Sequence, residues 1–586
     1  MAGMGRHSFE IGEHDFLLDG EPHRVISGAL HYFRIHPDQW RDRIRMGRMM
    51  GLNTIETYVA WNEHSPEPGV FDTSGRLDLA RFLREVQEEG LHAIVRPGPY
   101  ICAEFDGGGF PAWLFRDPEV GVRTLEPRYM AAVTEYLRAV MAIVAPLQID
   151  RGGPVVLLQV ENEYGAYGAD HAYLQALTDL FRETGATVPL TTVDQPEPAM
   201  LAAGNIPGLL ATGSFGSRAT ERLAALRRQQ PTGPLMCSEF WCGWFDHWGA
   251  HHHTTDAAAS ARELDDLLAA GASVNIYMLH GGTNFGLTNG ANDKGVYQPT
   301  VTSYDYDAPL DEAGRPTEKF WAFREVIAKY APVPEFARVA PAPFAVPAPA
   351  ALRSVGGLDA LAPAAWQGFG DVPTMDELGI SRGFARYRVT LDEGPDAGVL
   401  AFAEVRDRAW VSLDGAPVGV LAREDHAFAI TLPRGTGVVE VLVEDEGRVN
   451  YGSRIGEPKG LIGPATFRGA PVGGWQASAV PLDGLAAASA LPEAPLAAGA
   501  NVFQATVVLD EPADLALSTE GLGKGLVWVN GFCLGRYWRS GPQHTLFVPA
   551  PATRAGENVV TVLELEALTA EALRFAPDLD LGHTDS

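Results

Sequence analysis

Val155-Val156-Leu157-Leu158-Gln159-Val160-Glu161-Asn162-Glu163-Tyr164-Gly165 is the stretch on which the reading of this chain turns. Its opening residues, Val155 to Val160, form an almost unbroken apolar run, short enough for a strand and rich in β-branched side chains, which predicts a strand buried on both faces. Glu161, Asn162 and Glu163 then arrive with no turn before them. Burying an unpaired carboxylate is costly, so two of them at the end of a core strand need a reason. In parallel α/β folds that reason is usually chemistry, because catalytic groups sit at the carboxyl ends of strands. A strand-end salt bridge is the competing reading of the same residues.

Working outward, the chain around this stretch alternates strand and helix. Candidate strands are Val25 to Leu30, Asn53 to Val59, His92 to Val95, Val155 to Val160, Pro189 to Val193, Leu209 to Ser214, Leu235 to Phe240 and Ser273 to Leu279. Between them Leu79, Phe82, Leu83 and Val86 recur at helical spacing before Gly90, and Thr254, Thr255 and Asp256 offer an N-cap to an Ala/Leu-rich helix that stops at Gly271. Eight such units in roughly the first 330 residues match a (β/α)8, or TIM, barrel with loop insertions, and the opening stretch becomes its fourth strand. A leader from Phe9 to Leu18, with an Asp19-Gly20 turn, reads as an edge strand.

From Pro332 to Ala351 the composition turns to Pro and Ala, which favours extended chain and marks a domain boundary. Beyond it come short alternating strands punctuated by Gly and Pro. Ala409-Trp410-Val411-Ser412-Leu413-Asp414-Gly415 with Gly419 is echoed by Val527-Trp528-Val529-Asn530-Gly531 with Gly535, each a Trp-Val strand entering a hairpin turn. The expected architecture is multidomain, α/β plus all-β: a barrel over 1–331, a linker over 332–352, and two β-sandwich domains over 353–485 and 486–586.

A chain of 586 residues exceeds one hydrophobic core. With 74 acidic against 45 basic residues, its net charge of -29 argues against nucleic acid or an anionic membrane as partner. Met1 to Asp19 lacks the apolar core of a secretion signal, and no apolar run approaches the length of a membrane span, so the cytoplasm is the expected compartment. Cys102, Cys237, Cys242 and Cys533 show no metal-ligand spacing and read as reduced thiols. A symmetric homodimer is the default oligomer.

Polar and aromatic residues gather where the strands should end: Glu56, Tyr58, Trp61 and Asn62; Arg96, Tyr100, Cys102, Ala103 and Glu104; Glu161 to Tyr164; Glu239, Trp241 and Trp244; Asn275, Tyr277 and His280, then Gly281 to Phe285. Aromatic faces with several carboxylates and no metal cluster suit a neutral polyhydroxylated ring, with no cofactor. Glycoside hydrolysis needs one carboxylic acid to protonate the leaving oxygen and a second carboxylate across the anomeric carbon, and Glu163 and Glu239 supply such a pair from strands four and seven. Two neighbouring carboxylates push their titrations apart, which lets one stay protonated. Pleat alternation places Glu161 and Glu163 on the same side of the strand, so residue chemistry alone does not choose between them.

The chain resembles glycoside hydrolase family 35, the retaining β-galactosidases, from Asp19-Gly20 to the strands near Val559–Leu563. The resemblance rests on Ile55-Glu56-Thr57-Tyr58-Val59 with Trp61-Asn62, the run Arg96 to Glu104, Gln159 to Gly165, Ser238-Glu239-Phe240, Gly281 to Phe285 and Thr302 to Pro309. It implies Glu163 as acid/base and Glu239 as nucleophile. Galactose hydroxyls would lie against Tyr58, Cys102, Ala103, Glu104 and Asn162, with Tyr277 and Tyr306 completing the pocket and jelly-roll, galactose-binding-like modules following the barrel. Where animal members typically carry Tyr after Ser-Glu-Phe, this chain has Trp241, and then Trp244. Both read either as rim packing or, with Tyr451 reaching across from the first β-module, as an aromatic clamp on the leaving-group sugar. Such a clamp is similar to that of short bacterial members favouring Gal-β-1,3-linked N-acetylhexosamines.

Other features read as structural. His251-His252-His253 is expected to be solvated surface, Gly107-Gly108-Gly109 to let the Glu104 loop fold over the sugar, and Trp528 and Trp538 to be core aromatics. The implied function is exo-acting, retaining release of terminal β-D-galactose from an oligosaccharide. Another exo-β-glycosidase, such as a glucosaminidase, and a non-catalytic carbohydrate-binding protein are the alternatives.

Overall fold

All eight expected strands form: β1 (Ile26–Leu30), β2 (Thr54–Tyr58), β3 (His92–Arg96), β4 (Val155–Gln159), β5 (Leu190–Asp194), β6 (Leu210–Ser214), β7 (Met236–Trp241) and β8 (Ser273–His280). In this computed structural model, which describes residues 7–392, 394–486 and 489–584, they pair in parallel and close into a barrel, β8 lying between β7 and β1. The helices after each strand are α1 (Trp40–Met50), α2 (Leu79–Glu88), α3 (Pro127–Val144), α4 (His171–Glu183), α5 (Pro198–Gly204), α6 (Ala219–Gln229), α7 (Ala257–Ala269) and α8 (Glu318–Ile327). Strands this apolar are covered on both sides, and every residue of β4 is buried. Local signals set the helix ends: Asp78 caps α2 by accepting from the Arg81 N–H at 2.9 Å, and Asp256 caps α7 through the Ala259 N–H at 2.6 Å.

Two expectations are corrected, the leader and the start of the first β-module. The leader is a small antiparallel sheet of Phe9–Ile11, Phe16–Leu18 and Glu21–His23, because the chain turns both at Gly12–Asp15 and at Asp19-Gly20; the first six residues of the segment read for a secretion signal lie outside the described residues. One helical stretch, Pro127–Leu147, is long and apolar enough on average to cross a membrane, although Arg128, Glu135 and Arg138 interrupt its apolar run as expected. Its Tyr129, Val133, Tyr136, Leu137 and Val140 face is nonetheless buried, and the Tyr136 hydroxyl donates to the Val59 and Pro97 carbonyls. The start of the first β-module at 353 also shifts. Ala350–Ala351 and Arg353–Gly357 pair with Ala572–Ala576 and Asn501–Leu509, so the chain lays two strands into the last module before building the first.

That first module packs a six-stranded sheet containing Gly383–Asp392 and Thr436–Asp445 on a four-stranded sheet containing Gly398–Ala401. The last packs a five-stranded sheet on a four-stranded one around Leu517, Val527, Tyr537 and Val562. The sequence echo is a structural one. Asp414-Gly415 and Asn530-Gly531 have φ of 49° and 76°, and 49° and 89°, the left-handed pair that a two-residue hairpin requires. In both hairpins the register slips by one residue opposite the first strand, just before Gly419 and Gly535. Trp528 is buried between the two modules, and Trp538 packs on Trp248 and Val301 of the barrel loops.

The first module reaches into the barrel through Glu446–Asn450. Arg448 N–H donates to Asp106 Oδ1 at 2.9 Å, Asn450 N–H to the Ala291 carbonyl at 2.9 Å, and Asn289 Nδ2 to the Glu446 carbonyl at 2.8 Å. Gly107, Gly108 and Gly109 (φ 60°, 64° and 87°) let the Glu104 loop meet this segment: a Cβ on Gly108 would lie 2.9 Å from the Asn450 carbonyl oxygen. Buried ion pairs lock the junction, among them Arg382 with Glu63 and with Asp106 (2.6 Å), Arg536 with Glu444 (2.9 Å) and Lys524 with Glu444 and Glu446 (2.8 and 3.0 Å).

Candidate active site

A pocket holding about 680 Å³ of empty space opens at the carboxyl ends of the barrel strands. Tyr58, Cys102, Ala103, Glu104, Asn162, Glu163, Glu239, Trp241, Trp244, Tyr277, Tyr306 and Tyr451, the residues named from sequence, all line it.

β7 delivers Glu239 at a bulge, where its ladder slips against both β6 and β8 and re-aims the side chain. Three donors converge on the carboxylate: the Tyr58 hydroxyl at 2.8 Å and Arg96 Nη2 at 2.5 Å on one oxygen, Trp241 Nε1 at 3.2 Å on the other. Arg96 Nη2 also donates to Asn162 Oδ1 at 2.6 Å, so one guanidinium positions two pocket residues. Beneath it Glu56 lies 3.7 Å from Arg96 Nε and accepts from Asn275 Nδ2 at 3.2 Å; burial pushes its carboxyl up to about 7 against the pull of Arg96.

Glu163 stands in a different environment. The pleat ends at Gln159, and Glu161 and Glu163 both adopt left-handed conformations, φ 60° and 44°, so alternation no longer governs where they point. This overturns the expectation that they share one side. Glu161 turns away to Arg123 (2.7 and 3.1 Å) and the Tyr173 hydroxyl (2.9 Å), the strand-end salt bridge of the competing reading. Glu163 faces the pocket and accepts from Ser214 Oγ at 2.7 Å. Burial, then the negative charge of Glu239, push its carboxyl up to about 7.

Opposite them, Cys102, Ala103 and Glu104 form a run of left-handed residues, φ 56°, 55° and 47°. Arg34 holds that run by donating to the Ala103 carbonyl at 2.6 Å while lying 3.7 Å over the Tyr304 ring, and the Tyr304 hydroxyl donates to Glu104. Burial raises Glu104 to about 7 as well. Tyr277 and Tyr306 meet edge-on at 5.4 Å. At the rim Trp244 is 39 % exposed, stacks on Phe245 at 4.9 Å and meets Trp241 edge-on at 5.9 Å. Tyr451 arrives from the first β-module, with Lys294 Nζ 5.9 Å over its ring.

Some residues expected at the mouth stand behind it. Trp61 is buried against Tyr136, Asn62 donates to the Asp106 carbonyl at 2.7 Å, and Asn275 and His280 lie fully inside. Sequence reasoning missed Ser214, Gln195, Asn292 and Lys294. Ser214 ends a predicted strand and was findable by position; Asn292 and Lys294 sit on an inserted hairpin, where strand ends give no signal. The histidine run is also corrected: His252 is buried and pairs with Asp246 at 2.7 Å, which outweighs burial and raises its pKa, while His251 alone of the three is exposed. All four cysteines are free.

A parallel eight-stranded barrel with two differently poised carboxylates over an aromatic pocket is the machinery of a glycoside hydrolase. Residues 15–330 match the model of glycosyl hydrolases family 35, residues 373–483 that of the first all-beta domain of beta-galactosidase, and residues 501–558 that of its galactose-binding domain. Beta-galactosidase of Xanthomonas manihotis is 40% identical over 557 residues, covering 92% of this chain and 91% of the relative; that of Homo sapiens is 41% identical over 602 residues, covering 95% and 87%. The chain belongs to glycosyl hydrolase family 35. Among solved structures, a GH5_18 enzyme from Streptomyces cattleya in complex with GlcNAc aligns with TM-score 0.41 at 15% identity, covering 55% of this chain and 83% of that one.

Proposed function

We propose that this chain is an exo-acting, retaining β-galactosidase that releases terminal β-D-galactose from oligosaccharides, with a preference for Gal-β-1,3-GlcNAc. The observation that carries the reading is the contrast between the two carboxylates: Glu239 receives three donors, one of them cationic, whereas Glu163 receives a single hydroxyl and titrates near 7. Glu239, fixed by those three donors, suits attack on the anomeric carbon, and a protonated Glu163 suits protonation of the departing glycosidic oxygen. The covalent galactosyl ester is then opened by water, whose proton passes to Glu163, and Glu239 leaves as the carboxylate.

Galactose fits the pocket between the Cys102–Glu104 run and Tyr277 and Tyr306, where Glu104 offers an acceptor and Asn162, its Oδ1 already taken by Arg96 and Tyr58, offers its Nδ2 donor to ring hydroxyls. Trp241, half-buried beside Glu239, the exposed Trp244 and the half-buried Tyr451 line one pocket, and their shared lining supports the clamp reading. The names carried by the relatives support galactose over glucosamine as the released sugar.

The test is galactose release from Gal-β-1,3-GlcNAc and Gal-β-1,4-GlcNAc by the wild type and by Glu239→Gln. The wild type is expected to favour the 1,3 linkage, and Glu239→Gln to lose turnover on the order of 10⁴-fold or more. Near-normal turnover by the variant overturns the assignment of the nucleophile; equal rates on the two disaccharides remove the linkage preference.

A further inference from the structure

Among the described residues Glu163 is held by one side-chain hydrogen bond, from Ser214, so its aim depends on the backbone that carries it. That backbone is unusual: Glu163 sits in the left-handed region (φ 44°, ψ 43°) and opens a single 3-10 turn, Tyr164–Ala166. Two contacts with β5 fix the turn. The Glu163 N–H donates to the Val193 carbonyl at 3.0 Å, and the Gly165 N–H donates to Asp194 Oδ1 at 2.7 Å.

Asp194 is the last residue of β5 and only 1% exposed. Two glycines box it in. A Cβ on Gly204 at the end of α5 would stand 2.0 Å from Asp194 Oδ2, and one on Gly165 would stand 2.8 Å from Oδ1 and 2.0 Å from the Met200 carbonyl oxygen. The carboxylate therefore clips the catalytic turn to α5 in a space that admits no further atom. Burial, and then the nearby charge of Glu163, hold the Asp194 carboxyl well above the usual range, against the Gly165 hydrogen bond.

We propose that Asp194 is a positioning residue for the acid/base: through the Gly165 N–H it fixes the left-handed turn that aims the Glu163 carboxyl at the leaving oxygen. The inference rests on the reading of Glu163 as acid/base. Proton transfer tolerates little displacement, because a misplacement of about 1 Å costs about 10²-fold in rate.

A purely structural residue would lower activity on every substrate alike. A residue that aims a general acid matters only when the leaving group needs a proton. The experiment is therefore kcat/KM for 2,4-dinitrophenyl β-galactoside, whose leaving group needs none, against Gal-β-1,3-GlcNAc, for Asp194→Ala, Asp194→Asn and Glu163→Ala. Asp194→Ala is expected to lose on the order of 10²-fold on the disaccharide and less than about tenfold on the aryl galactoside. Asp194→Asn keeps the acceptor for Gly165 and is expected to recover most of the disaccharide rate. If the alanine variant does not fold, Asp194→Val, smaller than Asp at its outer end, without an acceptor and suited to a strand end, is read in the same way. Equal losses on both substrates, or no loss on the disaccharide, overturn the role of Asp194 while Glu163→Ala still discriminates. If Glu163→Ala itself shows no discrimination, the acid/base assignment falls, and the inference falls with it.

Discussion

At the barrel mouth Glu56, Glu104 and Glu163 are each pushed up to about 7, chiefly by burial. At the junction between barrel and β-modules Glu63 lies as deep, yet Arg76 and Arg382 outweigh burial and draw it down to about 2. Glu444 and Asp445 are likewise lowered, by Lys524 and Arg536 and by Lys459 and Arg448. Two junction carboxylates yield to the partner with which they share a cation: Asp106 shares Arg382 with Glu63, Glu446 shares Lys524 with Glu444, and both Asp106 and Glu446 are raised. Burial therefore does not separate catalytic from structural acids in this protein. The balance of cations beside each carboxylate sets the direction of its shift instead, and among the described residues of the mouth Arg96 is shared by Glu56 and Glu239.

The largest way to break this contrast is to strip the junction of a cation. Arg382→Ala leaves Glu63 with Arg76 alone and takes the side-chain ion pair from Asp106. Removing one partner of a buried pair typically costs about 3–5 kcal/mol, so a clear drop in the urea midpoint is expected. The leaving-group dependence of catalysis should stay unchanged, since no mouth carboxylate loses a partner. A stability near wild type would show that the junction charges are compensated otherwise.

The two regions also predict opposite pH responses. A carboxyl raised from 4.5 to about 7 binds its proton more tightly in the folded state. The stability that Glu56, Glu104 and Glu163 contribute is thus full below pH 4.5 and lost as pH rises through 7. Glu63, lowered to about 2, contributes above pH 4.5 and loses that contribution as pH falls toward 2. Activity is expected to fall about tenfold per unit above pH 7 as Glu163 loses its proton, in a range where the urea midpoint declines only gradually. Parallel kcat/KM and urea-midpoint profiles check this. An alkaline loss of activity that tracks unfolding would remove Glu163 from the explanation.

How much of this was legible in the sequence follows the same division. The barrel strands were readable because each is a short apolar run whose end changes abruptly to polar residues, and that change placed the pocket residues at the strand ends, whereas Tyr306 and Tyr451 came only with the family resemblance. The hairpin echo was readable down to its second glycine, because turn chemistry is local. The direction of Glu161 against Glu163 was not, since periodicity says nothing once the backbone leaves the pleat at two left-handed residues. Nor was the junction. Its pairs join residues such as Arg382 with Glu63 and Arg536 with Glu444, far apart in the chain, and a lone charge in a β-strand looks like a solvated face until its partner is placed. The same blindness put Arg353–Gly357 in the wrong module, since an edge strand carries no mark of which sheet it joins.

The finest adjustment of the contrast lies in Ser214, the hydroxyl that lowers Glu163 against burial and against Glu239. Ser214→Ala removes that hydrogen bond without adding or removing a charge. Glu163 should then hold its proton more firmly, and the alkaline limb of the kcat/KM profile on Gal-β-1,3-GlcNAc should move to higher pH. A hydrogen bond of this kind is worth about 1 kcal/mol, so the rate at pH 6 should fall by less than about tenfold. Direction carries the test. Arg382→Ala, acting on paired acids at the junction, should leave the limb in place, whereas Ser214→Ala should move it; a limb that stays fixed in both would mean that a carboxyl other than Glu163 sets it, with Glu104, also near 7 and in the same pocket, the next to change.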